Sequence, residues 1–366
     1  MAPLVLDKKN LGLFVSSLVI SLIAFELILR LVFPDVRGIP PPPRKGWALV
    51  PERIWTEYHP VLGWVHQKSK AAILKIEGHE IPLHTNALGF RGQREYPQTK
   101  PEGVHRILVL GDSFVFGFGV RDEETFSAVL ENRDPNLEMM NAGVPGYGID
   151  QILLSFSVLG KSLKPDYVLI GIFPEDFWRA TRAFADTGHA KPYFSLSAEG
   201  RLVPHNIPVP QPYTLRTNQY PLQIDRGPIE NLLRVSAIYK NLKRAIIKIG
   251  KKLGWVDASS DDEWILGREI LKQLIRDVRG AGASPFLVMI PPERWTKNEN
   301  RDALHQSLLQ FSRREGVDFL DLTPEFLKAV QRHPSTRYYI EHDGHWTAEG
   351  HRLAAALIAA FLNQHG

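Results

Sequence analysis

Two short stretches carry residue types that could do chemistry together. Ile107-Leu-Val-Leu-Gly-Asp-Ser113-Phe is an apolar run that delivers a serine hydroxyl at the carboxyl end of a strand. Such a serine becomes a nucleophile only if a base lies within hydrogen-bond reach. Far along the chain, Asp343-Gly-His345-Trp offers one: an Asp two residues before a His can orient the ring and hold the tautomer that accepts the serine proton. Each stretch alone has a plainer explanation. Gly-Asp-Ser can be a turn with an Asx hydrogen bond, and among 13 histidines most must be bystanders. His342 and His351 compete locally with His345, and His351 is expected to face the start of the last helix. Taken as a pair, the stretches favour acyl chemistry, with Ser113 as nucleophile, His345 as base and Asp343 as its orienting partner. That chemistry calls for no metal and no organic cofactor.

The elements that must position these residues are legible from hydrophobic patterning. Near-continuous apolar runs at Arg106–Leu110, Leu137–Asn141, Tyr167–Phe173, Pro285–Ile290 and Phe319–Leu322 suit strands buried on both faces of a parallel sheet. Helical patterns fall between them, at Glu124–Asn132, Gln151–Lys161, Asp262–Arg279 and Arg301–Arg314. Thr323-Pro324-Glu325 reads as a helix start, and Ala348–Leu362 closes the chain. Alternating βα units imply a three-layer α/β/α doubly wound fold, with ligands at the carboxyl ends of the strands. Gly111 permits the sharp turn before Ser113. Residues 181–260 interrupt the rhythm with a hairpin over Phe194–Leu202 and several prolines, as an insertion that walls or covers a site would. Residues 46–103 read as a lead-in packed on the main domain.

Three motifs in order are Gly111-Asp-Ser-Phe, Asn141-Ala-Gly-Val-Pro-Gly-Tyr-Gly and Asp343-x-His345. On these, the chain resembles the SGNH/GDSL hydrolase superfamily over residues 105–360. The resemblance implies a flavodoxin-like sandwich and ester hydrolysis or acyl transfer through an acyl-serine. It also implies an oxyanion hole made by the backbone N–H groups of Ser113 and Gly143. Gly143 ends the second strand, beside the first, and has no side chain to block a carbonyl.

Two departures stand out. The family's third block carries Asn-Asp, the Asn amide donating to the oxyanion; here it is Glu175-Asp176. A carboxylate accepts where an amide donates, and losing one such donor costs roughly 100- to 1000-fold in turnover. Glu175 therefore points away, is held protonated, is replaced by another group, or slows the enzyme. Asp176 reads equally as a helix N-cap. The second departure is the Asp-x-His spacing, shorter than the family's usual one. Asp-x-His-Trp is similar to alginate-type polysaccharide O-acetyltransferases, which also use Gly-Asp-Ser-Phe but with the two motifs in the reverse order. The substrate expected is therefore a small O-acyl ester, acetyl foremost, on extracellular carbohydrate. A polysaccharide O-acetyltransferase and an inactive scaffold or binding module are the alternatives. Tyr147, Trp178, Tyr193 and Phe194 could stack on sugar rings or simply pack.

The bulk composition fits this picture. With 44% hydrophobic and 23% charged residues in 366, the chain is globular; its net charge of +4 and lack of a dense basic tract argue against nucleic acid. The basic run Lys240, Lys243, Arg244, Lys248, Lys251 and Lys252 has the spacing of a solvated helix face. With no cysteine, disulfides and thiolate chemistry are excluded. Leu11–Phe33 is apolar except for Glu26 and Arg30, which are spaced to pair on one helix face. At about 1.5 Å per residue it is long enough for a bilayer core of about 30 Å. The expected organisation is a cytoplasmic tail over 1–10, a transmembrane anchor over 11–33, a Pro-rich linker and lead-in over 34–103, and a catalytic domain over 104–366. A single-pass protein of the cytoplasmic membrane with its domain on the outer side follows from this reading. Lys8 and Lys9 before the span and Arg37, Arg44 and Lys45 after it leave the orientation by charge open. Pro40–Pro43 would act as a stiff spacer.

Overall fold

Side chains along the first core strand alternate between two hydrophobic clusters. Leu108 and Leu110 face one and Ile107 and Val109 the other, all at most 1% exposed. A strand buried on both faces must lie inside a layered sheet, and the computed structural model shows one. It describes residues 8–32, 55–185, 190–210, 236, 238, 242, 262–297 and 303–365.

In chain order the strands are β1 (Thr56–His59), β2 (Gly63–His66), β3 (Ala71–Ile76), β4 (His79–His84), β5 (His105–Leu110), β6 (Leu137–Asn141), β7 (Tyr167–Ile172), β8 (Tyr193–Leu196), β9 (Leu202–His205), β10 (Ser284–Met289) and β11 (Asp318–Asp321). The helices are α1 (Lys8–Val32), α2 (Ser113–Phe116), α3 (Phe126–Arg133), α4 (Ile149–Ser155), α5 (Glu175–Ala180), α6 (Asp262–Gly280), α7 (Glu293–Lys297), α8 (Ala303–Glu315), α9 (Thr323–Arg332) and α10 (Ala348–His365). The central sheet is parallel, in the order β11-β10-β7-β5-β6. One face carries α4, α6 and α8 through Ile152, Leu271, Leu274 and Leu308. The other carries α3, α9 and α10 through Leu130, Phe326 and Ile358. The chain order reverses at β5, between β6 and β7, which is where an open α/β sheet leaves a crevice.

The five core strands lie within one residue of the sequence expectation. The helix after β6 starts at Ile149 and passes through a π turn, Phe156–Gly160, before ending at Leu163. The lead-in forms two antiparallel hairpins, β1–β2 and β3–β4. Their buried Trp55, Leu74 and Leu83 pack under Phe116 of α2, so the lead-in supports the Ser113 turn from below. The insertion opens with β8–β9, whose strands embrace a turn over residues 197–201 and extend to His205, beyond the expected Phe194–Leu202. It is bolted to the core by Lys191, whose Nζ donates to Asp150 of α4; both side chains are buried.

Helix α1 spans 25 residues, and its Leu18, Ile20, Ile23, Leu27 and Ile28 are about half exposed or more. Among the described residues no helix is long and apolar enough to cross a membrane. Glu26 accepts hydrogen bonds from Ser236 Oγ and Ile238 N, each at 2.9 Å, and the side chain of Arg30, its expected partner, lies outside the described residues. Pro40–Pro43 and the basic run from Lys240 to Lys252 lie outside the described residues.

Candidate active site

The nucleophile turn is short because glycines let it sink into the strand ends. A Cβ on Gly111 would lie 2.3 Å from Val115 Cγ2, one on Gly171 2.5 Å from the same atom, and one on Gly143 2.7 Å from Val115 Cγ1. Real Cβ atoms do not approach so closely, so Val115 can wedge between β5, β6 and β7 only because all three positions lack a side chain. Asp112 caps α2, its Oδ1 accepting from Phe114 N at 2.9 Å. Ser113 is thereby presented at the first helical position and is 6% exposed.

The base arrives on the loop before α10. This loop is fixed by its own backbone, with Ile340 N donating to His345 O at 2.7 Å and Thr347 N to Tyr338 O at 3.0 Å. It is also fixed by Trp346, 1% exposed, which stacks on Phe326 and meets Phe114 edge-on. The His345 ring lies between Phe114 and Phe118, with centroids 4.9 Å from each. Its Nε2 is 2.7 Å from Ser113 Oγ, across 232 residues of sequence, and its Nδ1 is 2.5 Å from Asp343 Oδ1. Asp343 Oδ1 also accepts from His345 N at 3.1 Å. Burial alone would raise the Asp343 carboxyl, but the hydrogen bonds and charge of His345 outweigh it and hold it below the ordinary carboxylate range. An ionised Asp343 fixes the proton on Nδ1 and leaves the Nε2 lone pair for the serine.

The competing histidines sit elsewhere. His342 has an 86% exposed side chain. His351 is buried, and its Nδ1 accepts from Phe126 N at 3.3 Å. Burial, reinforced by Arg91 and His345, lowers its pKa to about 3, so it packs as a neutral ring.

The N–H of Gly143 donates to Asn141 Oδ1 at 3.1 Å, and a Cβ there would lie 2.5 Å from Phe116 N, so the position also requires glycine for packing. Asp176 is not an N-cap: α5 starts at Glu175 after Pro174, and Asp176 is fully buried. Its Oδ2 accepts from Phe173 N, and its Oδ1 from Arg179 Nη1, each at 2.9 Å. Its carboxyl is pushed well above the usual range by burial and by Asp112, against the pull of Arg179. Glu175 is half-exposed, 3.5 Å from Arg294 Nη1 and 3.7 Å from Arg179 Nη2. The aromatics weighed for sugar stacking are largely packing groups: Tyr147 and Phe194 are buried, Tyr193 stacks on His205, and Trp178 lies under the Arg182 guanidinium. The Asx hydrogen bond weighed for Gly-Asp-Ser is the Asp112 cap, whereas Asp112's contact with Arg179, and Arg179 itself, went unread. The spacing of Arg179, three and four residues after two acids on a helix, was the available signal for the arginine.

Among the described residues no group of three or more His, Asp or Glu side chains could hold a metal ion. A serine hydroxyl, a histidine ring in contact with it and a carboxylate on that ring meet at the crevice of a parallel sheet, an arrangement that fits a serine ester hydrolase. The chain belongs to the GDSL-like Lipase/Acylhydrolase family, whose profile matches residues 109–353 and so includes Ser113, Asp343 and His345. No curated protein matches it. Solved structures similar to it include TesA (13% identity, covering 70% of this chain and 98% of that one, TM-score 0.40). The acetyl xylan esterase AlAXEase (15% identity, 70% and 98%, TM-score 0.40) and the psychrotrophic esterase EstA from Pseudoalteromonas sp. (14%, 71% and 97%, TM-score 0.39) are also similar.

Proposed function

We propose that the protein is a serine esterase that removes small acyl groups, acetyl foremost, from extracellular carbohydrate through an acyl-serine. The observation carrying this is the continuous contact from Asp343 through His345 to Ser113. Ser113 Oγ attacks the ester carbonyl while its proton passes to His345 Nε2, and Asp343 steadies the resulting imidazolium. The tetrahedral intermediate collapses as His345 returns that proton to the departing alcohol, leaving the acyl group on Ser113. Water, deprotonated by His345, then attacks the acyl carbonyl; the acid leaves and Ser113 recovers its proton. The oxyanion is held by the N–H of Ser113. The second donor in this reading is the N–H of Gly143, with the substrate oxygen taking the place of Asn141 Oδ1.

A small acyl group suits a nucleophile that is 6% exposed and walled by Phe114 and Phe118 around its base. Carbohydrate as the alcohol side is the expectation from the Asp343-x-His345-Trp346 motif. Transfer to a sugar hydroxyl in place of water uses the same groups. A membrane tether that keeps the domain outside the cytoplasm rests on the apolar sequence pattern of Leu11–Phe33 alone. The test is hydrolysis of p-nitrophenyl acetate, butyrate and octanoate and of acetylated xylo-oligosaccharides. The proposal expects kcat/KM for acetate to exceed that for octanoate by at least about tenfold, from a few kcal/mol of steric exclusion. A preference for octanoate overturns the small-acyl assignment. Alkaline extraction of membranes tests the tether: the full chain should stay in the pellet, and release into the supernatant contradicts it.

A further inference from the structure

One guanidinium nitrogen holds together the three chain segments that surround Ser113. Arg179 Nη1 lies 2.9 Å from Asp112 Oδ2, 2.9 Å from Asp176 Oδ1 and 3.2 Å from the Tyr147 carbonyl. Asp112 belongs to the nucleophile turn, Tyr147 to the loop after β6 and Asp176 to the helix after β7. Both carboxylates are at most 1% exposed, and Arg179 is mostly covered at 15%. The contact is built on the opposite side as well: a Cβ on Gly148 would lie 2.9 Å from Arg179 Cβ, so the loop after β6 can close on Arg179 only through a glycine.

Asp112 has no freedom left once Arg179 holds it. Its Oδ1 caps Phe114 N, and its Oδ2, bound by the guanidinium, is 3.5 Å from Ser113 Oγ. A rotation of Asp112 would therefore move the α2 cap and offer Ser113 Oγ an acceptor other than His345. The Tyr147 carbonyl belongs to the loop after β6, so holding it anchors the loop whose first residues include Gly143.

We infer that Arg179 is a positioning residue for catalysis: through Asp112 and the Tyr147 carbonyl it sets the serine hydroxyl and the oxyanion amides in one rigid frame. This rests on Ser113 being the nucleophile. Lysine carries the same charge on a flexible stem one atom shorter, so its ammonium does not reach the place of Nη1 in a fixed pose.

The experiment uses the full chain in detergent micelles and compares the parent with Arg179→Lys, the double variant Asp112→Asn/Arg179→Gln, and Ser113→Ala. The double variant removes one negative and one positive charge, and its new side-chain amide oxygen can still accept from Phe114 N, so buried charge balance and the cap are kept while the clamp is lost. Read-outs are kcat and KM on p-nitrophenyl acetate, the rate of fluorophosphonate labelling and the thermal midpoint. The double variant should fold with kcat and labelling rate reduced about 100-fold, the scale of a roughly 1 Å misplacement, and KM within about threefold. Arg179→Lys should lose about tenfold in kcat. A folded double variant with parental kcat and labelling rate overturns the inference. If the double variant does not fold, Arg179→Lys decides alone: folded with parental kcat it overturns the inference, and reduced in kcat at unchanged KM it upholds it. Failure of the underlying reading looks different, because Ser113→Ala would then hydrolyse and label like the parent.

Discussion

His66 lies against Phe116 of the nucleophile turn, with ring centroids 4.6 Å apart, and its Nε2 is buried without a hydrogen-bond partner. Burial, opposed by the Gly89 backbone and helped by Arg91, lowers its pKa from 6.5 to about 3. Between those values the unfolded chain binds a proton that the folded chain refuses, so stability falls as pH falls, by up to about 1.4 kcal/mol per pH unit. At about pH 5, some 1.5 units below the unfolded value, the loss from this one side chain is about 2 kcal/mol. His66→Phe keeps a ring on Phe116 and removes the titration. Urea unfolding followed by tryptophan fluorescence at about pH 7.5 and pH 5 should show that the variant loses about 2 kcal/mol less than the parent over that interval. Taking the difference between variant and parent cancels the buried carboxyls Asp150 and Asp176, which are raised by burial and titrate in both proteins. Equal losses in the two proteins would refute the claim that His66 is packed neutral.

Other outcomes follow from the same geometry. Asp343→Asn should leave the fold intact and lower kcat on the order of 10³- to 10⁴-fold, because the amide no longer holds the tautomer that Ser113 needs; kcat within tenfold of the parent would contradict that role. Glu175→Asn restores an amide at a position flanked by Arg179 and Arg294, and kcat on p-nitrophenyl acetate should rise by about tenfold or more, a fraction of the worth of one oxyanion donor. No rise would mean that the third block has left the oxyanion site altogether. Lys191→Met strands Asp150 in the core and should cost about 3–5 kcal/mol by urea unfolding. The double variant Asp150→Asn/Lys191→Met should recover part of this, and strict additivity would show that the two do not act as a pair.

The sheet was legible because its strands are buried on both faces: runs such as Tyr167–Ile172 can be little else, and their ends fall within a residue. The catalytic contact was legible from two motifs, since a serine at a strand end and an Asp-x-His loop have few other joint uses. What the sequence hid is three-dimensional. Asp176 has the composition of a cap, but its partners are Phe173 N and Arg179, each three residues away, so local spacing brought the groups together and left open which of them pair. Arg179 also reaches Asp112, 67 residues back, a contact that no local spacing announces. Glu26 likewise meets donors 210 and 212 residues away. Local spacing states which near contacts are possible and is silent on those made across the fold.

Every step of the proposed reaction needs Ser113 to be a nucleophile activated by His345. Treating the full chain with a fluorophosphonate and mapping the adduct by peptide mass spectrometry tests this directly. One phosphonyl group on the peptide containing Ser113, absent after heat denaturation, lost in Ser113→Ala and strongly slowed in His345→Ala, is the predicted result. An unmodified Ser113 in the folded protein, or equal labelling with His345 removed, would contradict it.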